Sequence, residues 1–270
     1  MDVKEIKFIK EVSKLCSNMY RLGWDERNGG NVSYLLTEEE VSKYLNINEV
    51  IRSYPNDLIY DNLDNKIILI TGTGKYFKNV EENPCENLGI IKINNKNKSI
   101  DLLWGFSDGA KFTSELPAHL MSHNARLLVD KEHRVVIHTH PTNLVAMTAI
   151  HPLNDKAFTK SLWRTCTECM VVFPDGIGVL PWMLCGNDEI GYATAKKMKD
   201  YRLVIWSLHG IYGTGKTIDE AFGLIETVEK AAQLYMLTAH LNVINTISDS
   251  QLIEIANHFK VNYKKEFFTD

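Results

Sequence analysis

The stretch RVVIHTH, residues 134–140, joins an apolar run to two histidines. The apolar run predicts a buried β-strand, and the histidines follow at its end. Residues i and i+2 of a strand point to the same face, so His138 and His140 can converge on one ion. An isolated pair of this kind is more often bonded to backbone groups, so a metal site needs a third ligand.

His209 is the candidate third ligand. It follows a second predicted strand, residues 202–206, and therefore lies at a strand end in the same way. Gly210 comes next, and a glycine allows other groups to approach its backbone closely. Three histidines with one open coordination position are typical of a catalytic zinc site rather than a structural one.

A competing set of ligands is Glu115, His119 and His123. Their spacing of i, i+4 and i+8 places them on one helical face, but the H-E-x-x-H pattern is missing. Glu115 lies in the first helical turn, beside Thr113 and Ser114, which are candidate caps. We expect Glu115 to be a functional carboxylate and the two histidines to be surface or supporting groups.

Two glycine-rich turns could hold an anion. NGGN at residues 28–31 and TGTG at residues 71–74 can expose backbone N–H groups to a phosphate. Each is more often only a turn. Next to a metal site, and with two hydroxyl residues at a helix start, they predict a phosphate pocket.

The segment GIYGTGKT, residues 210–217, matches the Walker A pattern, with a predicted strand before it and a helix after it. The match alone favours a P-loop nucleoside triphosphatase. Such a domain also needs further parallel strands and a strand that ends in a metal-binding aspartate. Only helices are predicted after residue 217, so we expect the match to be coincidental. Nucleotide binding that depends on Lys216 would support the P-loop alternative.

Cys166 and Cys169 form a C-x-x-C motif, which could be redox-active or half of a zinc knuckle. No second cysteine pair lies near it, so two ordinary thiols are favoured. Glu168, between them, is a candidate second carboxylate. The chain has five cysteines, an odd number, which favours reduced thiols in a cytoplasm over a disulfide framework.

Composition limits the classes of partner. The chain has 270 residues, 44% hydrophobic and 24% charged, as in an ordinary globular protein with a sizeable core. Its formal charge is -4, without a basic stripe, so nucleic acid is not an expected partner. No apolar run approaches the roughly 20 residues of a membrane-spanning helix. The N-terminus enters an amphipathic helix and has no signal-peptide core, so we expect a cytoplasmic protein without a membrane partner.

Hydrophobic periodicity predicts one α/β domain over residues 1–270, without internal repeats or linkers. Predicted helices cover residues 6–19, 115–129, 188–198, 218–240 and 248–259. Predicted strands cover residues 32–35, 66–70, 88–93, 100–104, 134–138, 169–173 and 202–206. The polar segment at residues 37–65 is expected to be irregular and to cap the fold.

The chain resembles the class II aldolase/epimerase family, which includes fuculose-phosphate aldolase and ribulose-phosphate 4-epimerase. The resemblance covers nearly the whole chain. It is carried by GWDERNGGN (23–31), TGTGK (71–75), TSELPAH (113–119), HTHPTN (138–143), TECMVVFPDGIGVLPW (167–182), DEIG (188–191) and LHGIYG (208–213). The H-x-H pair indicates only the superfamily, whereas the WDERNGGN and FPDG-to-PW blocks point to its rhamnulose branch.

The resemblance implies a three-layer α/β/α fold around a mainly antiparallel sheet and a homotetramer with active sites at subunit boundaries. The implied reaction is reversible, zinc-dependent cleavage of L-rhamnulose 1-phosphate to dihydroxyacetone phosphate and L-lactaldehyde. The implied Zn²⁺ ligands are His138, His140 and His209, with one ion per subunit. Glu115 is the implied acid/base, and Glu168 is a second candidate that could reach across a subunit interface. The implied phosphate-binding residues are Asn28, Asn31, Thr73, Gly74, Thr113 and Ser114.

Two other functions stay open at this level. The protein could be an aldolase or epimerase of the same family that acts on another ketose phosphate. It could also be a non-catalytic binding module, because the fold occurs in the cytoskeletal protein adducin. A mere scaffold has no need for three histidines and Glu115, so a catalytic site is favoured.

Overall fold

The computed structural model describes residues 3–269, which contain one nine-stranded sheet. The strands are β1 (Asn31–Leu36), β2 (Arg52–Pro55), β3 (Ile67–Thr71), β4 (Leu88–Asn94), β5 (Ser99–Gly105), β6 (Val135–Thr139), β7 (Gly178–Leu180), β8 (Leu203–Trp206) and β9 (Gly210–Gly215). Their order is β2-β5-β4-β3-β1-β6-β9-β8-β7. Every neighbouring pair is antiparallel except β7 and β8, so the predicted mainly antiparallel sheet is confirmed.

Helices cover both faces of this sheet. They are α1 (Lys7–Arg21), α2 (Glu38–Ser42), α3 (Pro84–Asn87), α4 (Leu116–Val129), α5 (Thr142–Ile150), α6 (Asp155–Trp163), α7 (Thr167–Val172), α8 (Asp188–Lys197), α9 (Ile218–Thr238) and α10 (Asp249–Phe259). The larger core packs α1, α5, α6, α7, α9 and α10 against one face, whereas α4 and α8 pack on the other. Among residues 3–269, no helix has both the length and the apolar character needed to cross a membrane.

Strand alternation in β6 places His138 on the α4 face. Val135 and Ile137 pack in the larger core, whereas Val136 packs against α4 and α8. His138 follows Val136 by two residues and therefore points to the same face. Its neighbours across the sheet are Asn31 in β1 and Tyr212 in β9. These three side chains form one row beneath the start of α4.

The prediction of a strand at residues 169–173 was wrong, because this segment lies in helix α7. The apolar run there is short, and a short apolar run can be a buried strand or a buried helix. The segment at residues 37–65 is also less irregular than predicted. It contains helix α2 and the edge strand β2. Helix α2 begins with a complete capping box, with Thr37 as the N-cap residue.

The Walker-like segment is a buried strand rather than a phosphate loop. Strand β9 pairs with β6 on one side and β8 on the other, which engages its backbone in the sheet. Two of its glycines allow α9 to pack closely. A Cβ at Gly213 would lie 2.7 Å from Ile225, and one at Gly215 would lie 2.8 Å from the backbone nitrogen of Ala221. The sequence match is therefore coincidental, as predicted.

The start of α4 differs from the predicted cap. The N-cap residue is Glu115 itself, and its side chain makes no capping hydrogen bond. The hydroxyl oxygen of Thr113 instead accepts a hydrogen bond from the backbone N–H of Glu115 at 3.2 Å. This arrangement leaves the Glu115 carboxylate available for other contacts.

Candidate active site

The three predicted histidines meet at one end of the sheet. His138 and His140 lie at the end of β6, and His209 lies in the turn between β8 and β9. The Nε2 atoms of His138 and His140 are 3.3 Å apart. Each of the three offers a ring nitrogen within 4.8 Å of the others. The structure therefore brings together the residues that were predicted to share one ion.

Hydrogen bonds fix the tautomers of two of these rings. His138 Nδ1 donates to the carbonyl oxygen of Ile211 at 3.1 Å, and His140 Nδ1 donates to the Glu26 carboxylate at 3.1 Å. Burial, and then the neighbouring imidazoles, hold the pKa of His138 well below its ordinary value. A neutral ring with a proton on Nδ1 has its lone pair on Nε2, where a metal can bind.

The spacing of these nitrogens fits a tetrahedral cation. Zn–N bonds of about 2.0–2.1 Å place two ligand nitrogens roughly 3.3–3.4 Å apart around a tetrahedral ion. The His138–His140 separation of 3.3 Å is already that distance. Imidazole nitrogens also favour zinc over hard cations. The donor set therefore fits a divalent metal such as zinc.

Gly210 permits this close approach. A Cβ at this position would lie 2.4 Å from the carbonyl oxygen of Thr139 and 2.8 Å from the His140 ring. We expect Gly210→Ala to displace the β6 end, to weaken metal binding and to lower the free energy of unfolding by about 1–3 kcal/mol. Metal titration and thermal unfolding measure both effects.

Gly223→Ala is the matched control, because a Cβ at Gly223 in α9 would meet nothing within 4 Å. It should stabilise the protein by about 0.5–1 kcal/mol and leave metal binding unchanged. Unchanged metal affinity in Gly210→Ala would show that the tight packing around Gly210 is not needed.

Glu26 orients His140 through the Nδ1 contact, and its own side chain is largely exposed. Partners of this kind typically change metal affinity by roughly 10- to 100-fold when they are removed. We therefore expect Glu26→Ala to weaken metal binding within that range with little loss of stability. Isothermal titration of the metal-free protein with Zn²⁺ measures this effect, and an affinity equal to that of the unmodified protein would contradict it.

Glu115 lies beside the three histidines and is buried. Its Oε2 accepts hydrogen bonds from Asn31 Nδ2 at 3.0 Å and from the Tyr212 hydroxyl at 2.8 Å. The same oxygen is 3.5 Å from His138 Nε2, and Oε1 is 3.9 Å from His209 Nε2. Two donors occupy Oε2, so Oε1 is the oxygen with capacity to take or give a proton.

His119 and His123 are fully buried on the sheet-facing side of α4. Of the two predicted alternatives, surface or supporting groups, the surface alternative is therefore wrong. The Ser33 hydroxyl lies 2.6 Å from His119 Nδ1 and 2.8 Å from His123 Nε2. Their spacing does put them on one helical face, but that face packs on the sheet.

The residues predicted to bind the metal and those predicted to bind the phosphate line one small cavity of about 150 Å³. Among the described residues, its lining holds no lysine and no arginine, so an anion there would meet neutral donors. Asn31 is already engaged by Glu115 and His119, which leaves one amide hydrogen free. The lining residues are Asn28, Gly29, Gly30, Asn31, Gly72, Thr73, Gly74, Thr113, Ser114, Glu115, His138, His140 and His209.

Glu168 is absent from this lining, as far as residues 3–269 show. It lies exposed in the first turn of α7. The flanking Cys166 and Cys169 are free thiols with their sulfur atoms 3.2 Å apart. Within the described part of the chain, neither belongs to a group that could hold a metal.

Sequence reasoning missed four residues of this site. Tyr212 donates to Glu115, and Glu26 orients His140. Asp25 accepts from the Thr139 hydroxyl at 3.1 Å, between the two histidines. Cys185 offers a sulfur within 4.8 Å of ligand atoms of Glu115 and His209. Asp25 and Glu26 lie in the GWDERNGGN block and Tyr212 lies in the LHGIYG block, so the motifs marked these segments. Their contacts join segments that are distant in sequence, so the motifs did not show the role of each side chain.

The buried histidines should make the fold acid-sensitive. Burial lowers the pKa of His119 to about 4, and burial followed by Arg126 lowers that of His133 to about 3. The unfolded chain then binds more protons below its histidine pKa of about 6.5, so stability falls as pH drops from there. At pH 5, each of these two histidines should lower the free energy of unfolding by on the order of 2 kcal/mol relative to neutral pH. Denaturant unfolding at pH 7 and pH 5 measures the loss.

His133→Gln tests the source of this effect, because it removes one titrating group and keeps an amide donor toward His123. The slope of stability against pH between 6.5 and 5 should become shallower by about one proton. An unchanged slope would mean that His133 is not buried in its neutral form.

The fold and the site define a class of enzyme, and comparison with known proteins supports it. Residues 10–236 match the family model "Class II Aldolase and Adducin N-terminal domain". A solved sugar-phosphate aldolase from Thermotoga maritima superposes with a TM-score of 0.76 at 28% identity, over 88% of this chain and 98% of the other. The chain belongs to the class II aldolases, a family of metal-dependent lyases, and the predicted resemblance is confirmed.

Curated relatives narrow this assignment within the family. A rhamnulose-1-phosphate aldolase of Listeria monocytogenes serotype 4a (strain HCC23) is 53% identical over 270 residues, which cover 100% of this chain and 99% of the relative. A rhamnulose-1-phosphate aldolase of Enterococcus faecalis (strain ATCC 700802 / V583) is 52% identical, over 98% of this chain and 97% of the relative. Within the family, the chain groups with the rhamnulose-1-phosphate aldolases.

Proposed function

We propose that this protein catalyses the reversible cleavage of L-rhamnulose 1-phosphate to dihydroxyacetone phosphate and L-lactaldehyde, in the degradation of L-rhamnose. The observation that carries this function is the convergence of three imidazole nitrogens within 4.8 Å, with Glu115 beside them. High identity to rhamnulose-1-phosphate aldolases over the full chain supports the choice of substrate.

His138, His140 and His209 would hold one Zn²⁺ per subunit through their Nε2 atoms. The bound cation supplies a Lewis acid for the negative charge that develops on the ketone oxygen during cleavage. The hydrogen bonds on Nδ1 of His138 and His140 orient these two rings and leave Nε2 of each available to the ion.

Glu115 transfers the proton at C3, the carbon that becomes part of dihydroxyacetone phosphate. When the bond between C3 and C4 of the ketose breaks, C3 keeps the electron pair and must gain a proton. In cleavage, Glu115 starts with a proton on Oε1, delivers it to C3 and is left ionised until solvent returns a proton. In the reverse direction, the ionised carboxylate removes the proton from C3. Tyr212 and Asn31, which donate to Oε2, hold the carboxylate in place during the transfer.

The hydroxyl on C4 must lose its proton as it becomes the aldehyde. Glu168 is our candidate base for this step. In the described chain it lies exposed and away from the cavity lining, so we propose that it acts in the site of a neighbouring subunit. A homotetramer with active sites at subunit boundaries satisfies this requirement.

The phosphate is proposed to lie against the start of α4 and the two glycine-rich turns. A helix start carries partial positive charge and favours anions. Side-chain and backbone donors of the turns supply the remaining contacts, and these donors are uncharged. The proposed contacts are Asn28, Asn31, Thr73, Gly74, Thr113 and Ser114.

We further propose that residues 1–270 form one domain and that the protein acts in the cytoplasm. The absence of a membrane-spanning helix among residues 3–269 and the free state of all five cysteines support this location. The site chemistry calls for a small-molecule partner, with neither nucleic acid nor membrane.

Release of dihydroxyacetone phosphate tests the proposed reaction. The purified protein should release it from L-rhamnulose 1-phosphate faster than from other ketose 1-phosphates. A chelator should abolish the release, and added Zn²⁺ should restore it. Preferred cleavage of another ketose phosphate would identify a different aldolase of the same family. Release that is insensitive to chelators would exclude the metal centre.

A further inference from the structure

A line of buried polar side chains extends from Glu115 across the α4 face of the sheet. Its members, in order from Glu115, are Asn31, His119, Ser33, His123 and His133. Each neighbouring pair is joined by a hydrogen bond of 3.0 Å or less. All are buried, and a buried polar group is costly unless it is bonded. The acid–base step described above uses only the first of these hydrogen bonds.

The carboxylate fixes the direction of the first two links. Ionised Glu115 can only accept, so Asn31 presents its Nδ2 hydrogen to Oε2. The other side of the amide, Oδ1, therefore faces His119. An amide oxygen can only accept, so His119 Nε2 must carry a proton.

The remaining links then have one possible direction. A neutral imidazole has one N–H, and burial keeps His119 neutral by lowering its pKa to about 4. Its Nδ1 therefore accepts the Ser33 hydroxyl hydrogen at 2.6 Å. Ser33 has then used its only proton, so it must accept from His123 Nε2 at 2.8 Å.

His133 ends the line. Burial also holds the pKa of His123 well below its ordinary value, so this ring has one N–H, on Nε2. Its Nδ1 accepts from His133 Nε2 at 2.8 Å. Every donor in the line thus points toward Glu115. A reversed Asn31 amide would set its oxygen against the carboxylate and its N–H₂ group against the His119 donor.

We propose that His119 is a positioning residue for the proton transfer. Supported by Ser33, His123 and His133, it holds the Asn31 carboxamide with an N–H toward Glu115 Oε2. This donor keeps Oε2 occupied and leaves Oε1 as the oxygen that exchanges protons with the substrate carbon. The role rests on the proposed function, because it acts through the same carboxylate.

Hydrogen exchange into dihydroxyacetone phosphate isolates this step, because it needs no aldehyde. In deuterium oxide, the unmodified metal-loaded protein should exchange one hydrogen of the ketone-adjacent carbon. His119→Leu removes the donor and should slow exchange about 10- to 100-fold, as expected for losing one hydrogen bond that serves a charged group. The loss should appear in the exchange rate at saturating dihydroxyacetone phosphate, and the bound metal content should stay unchanged. His119→Gln keeps a donor at this position and should restore most of the rate.

His258→Leu is the matched control, because His258 lies exposed on α10. Ser33→Ala interrupts the line with a smaller change of volume and should slow exchange in the same direction. Nitrogen NMR of the isotope-labelled protein, with or without metal, should show His119 protonated on Nε2.

Full exchange rates in both His119→Leu and Ser33→Ala would overturn the positioning role, as would a His119 proton on Nδ1. A loss of bound metal in parallel with the loss of exchange rate would mean a merely structural role. If the unmodified protein itself exchanges no hydrogen, the proposed function fails first, so the two failures can be told apart.

Discussion

Replacing Glu115 by Gln should lower the rate of dihydroxyacetone phosphate release by roughly 100- to 10,000-fold, the range typical of a general acid/base. The amide keeps the shape of the carboxylate but cannot carry a transferable proton at Oε1. The contacts to Asn31 and Tyr212 are side-chain hydrogen bonds that an amide can largely retain. The effect should therefore fall on kcat. Steady-state kinetics with L-rhamnulose 1-phosphate measure it.

Glu189→Gln is the control for this variant. Glu189 also lies in the first turn of a helix on this face of the sheet, but it is exposed. It should retain full activity. The metal content of Glu115→Gln should equal that of the unmodified protein, which separates loss of the acid/base from loss of the ion. A Glu115→Gln variant with full cleavage activity would remove Glu115 as the acid/base.

Removal of one histidine ligand should strongly lower both metal affinity and the rate of cleavage. In His209→Ala, only two imidazole nitrogens are left, so metal affinity should fall by more than the roughly 10- to 100-fold typical of a supporting residue. Cleavage should fall to the level of the chelator-treated protein. His209 is the most exposed of the three side chains, at 22%, so its loss should disturb the core least.

Metal analysis after gel filtration, together with the cleavage assay, measures both effects of His209→Ala. His258→Ala removes an exposed imidazole elsewhere and should change neither. High concentrations of Zn²⁺ should partly restore His209→Ala, because His138 and His140 still present two nitrogens 3.3 Å apart. If this variant keeps tightly bound metal, His209 is not a ligand.

The local sequence pattern was sufficient for the strands that carry the ligands. An apolar run ending in H-x-H predicts β6 and the shared direction of its histidines, because alternation along a strand is a local property. The same holds for α1 and for the β4–β5 hairpin, whose apolar spacing and turn residues lie close together in sequence. Motif resemblance then gave the family, which the comparisons confirm.

Features that depend on packing could not be predicted in this way. The sequence of strand β9 contains three glycines and is typical of a loop. Two of these glycines are required because helix α9 packs closely against them. The burial of His119 and His123 was also hidden, because helical spacing shows a shared face but not what covers it. Asn31 was predicted only as a phosphate contact, whereas the fold places it between Glu115 and His119.

X-ray absorption at the zinc edge is the most direct test of the three-histidine centre. The protein loaded with one Zn²⁺ per chain should show three imidazole nitrogens at about 2.0–2.1 Å. In His209→Ala, one of these nitrogen scatterers should disappear. A zinc shell without imidazole nitrogens, or a purified protein that retains no divalent ion after loading, would contradict the account.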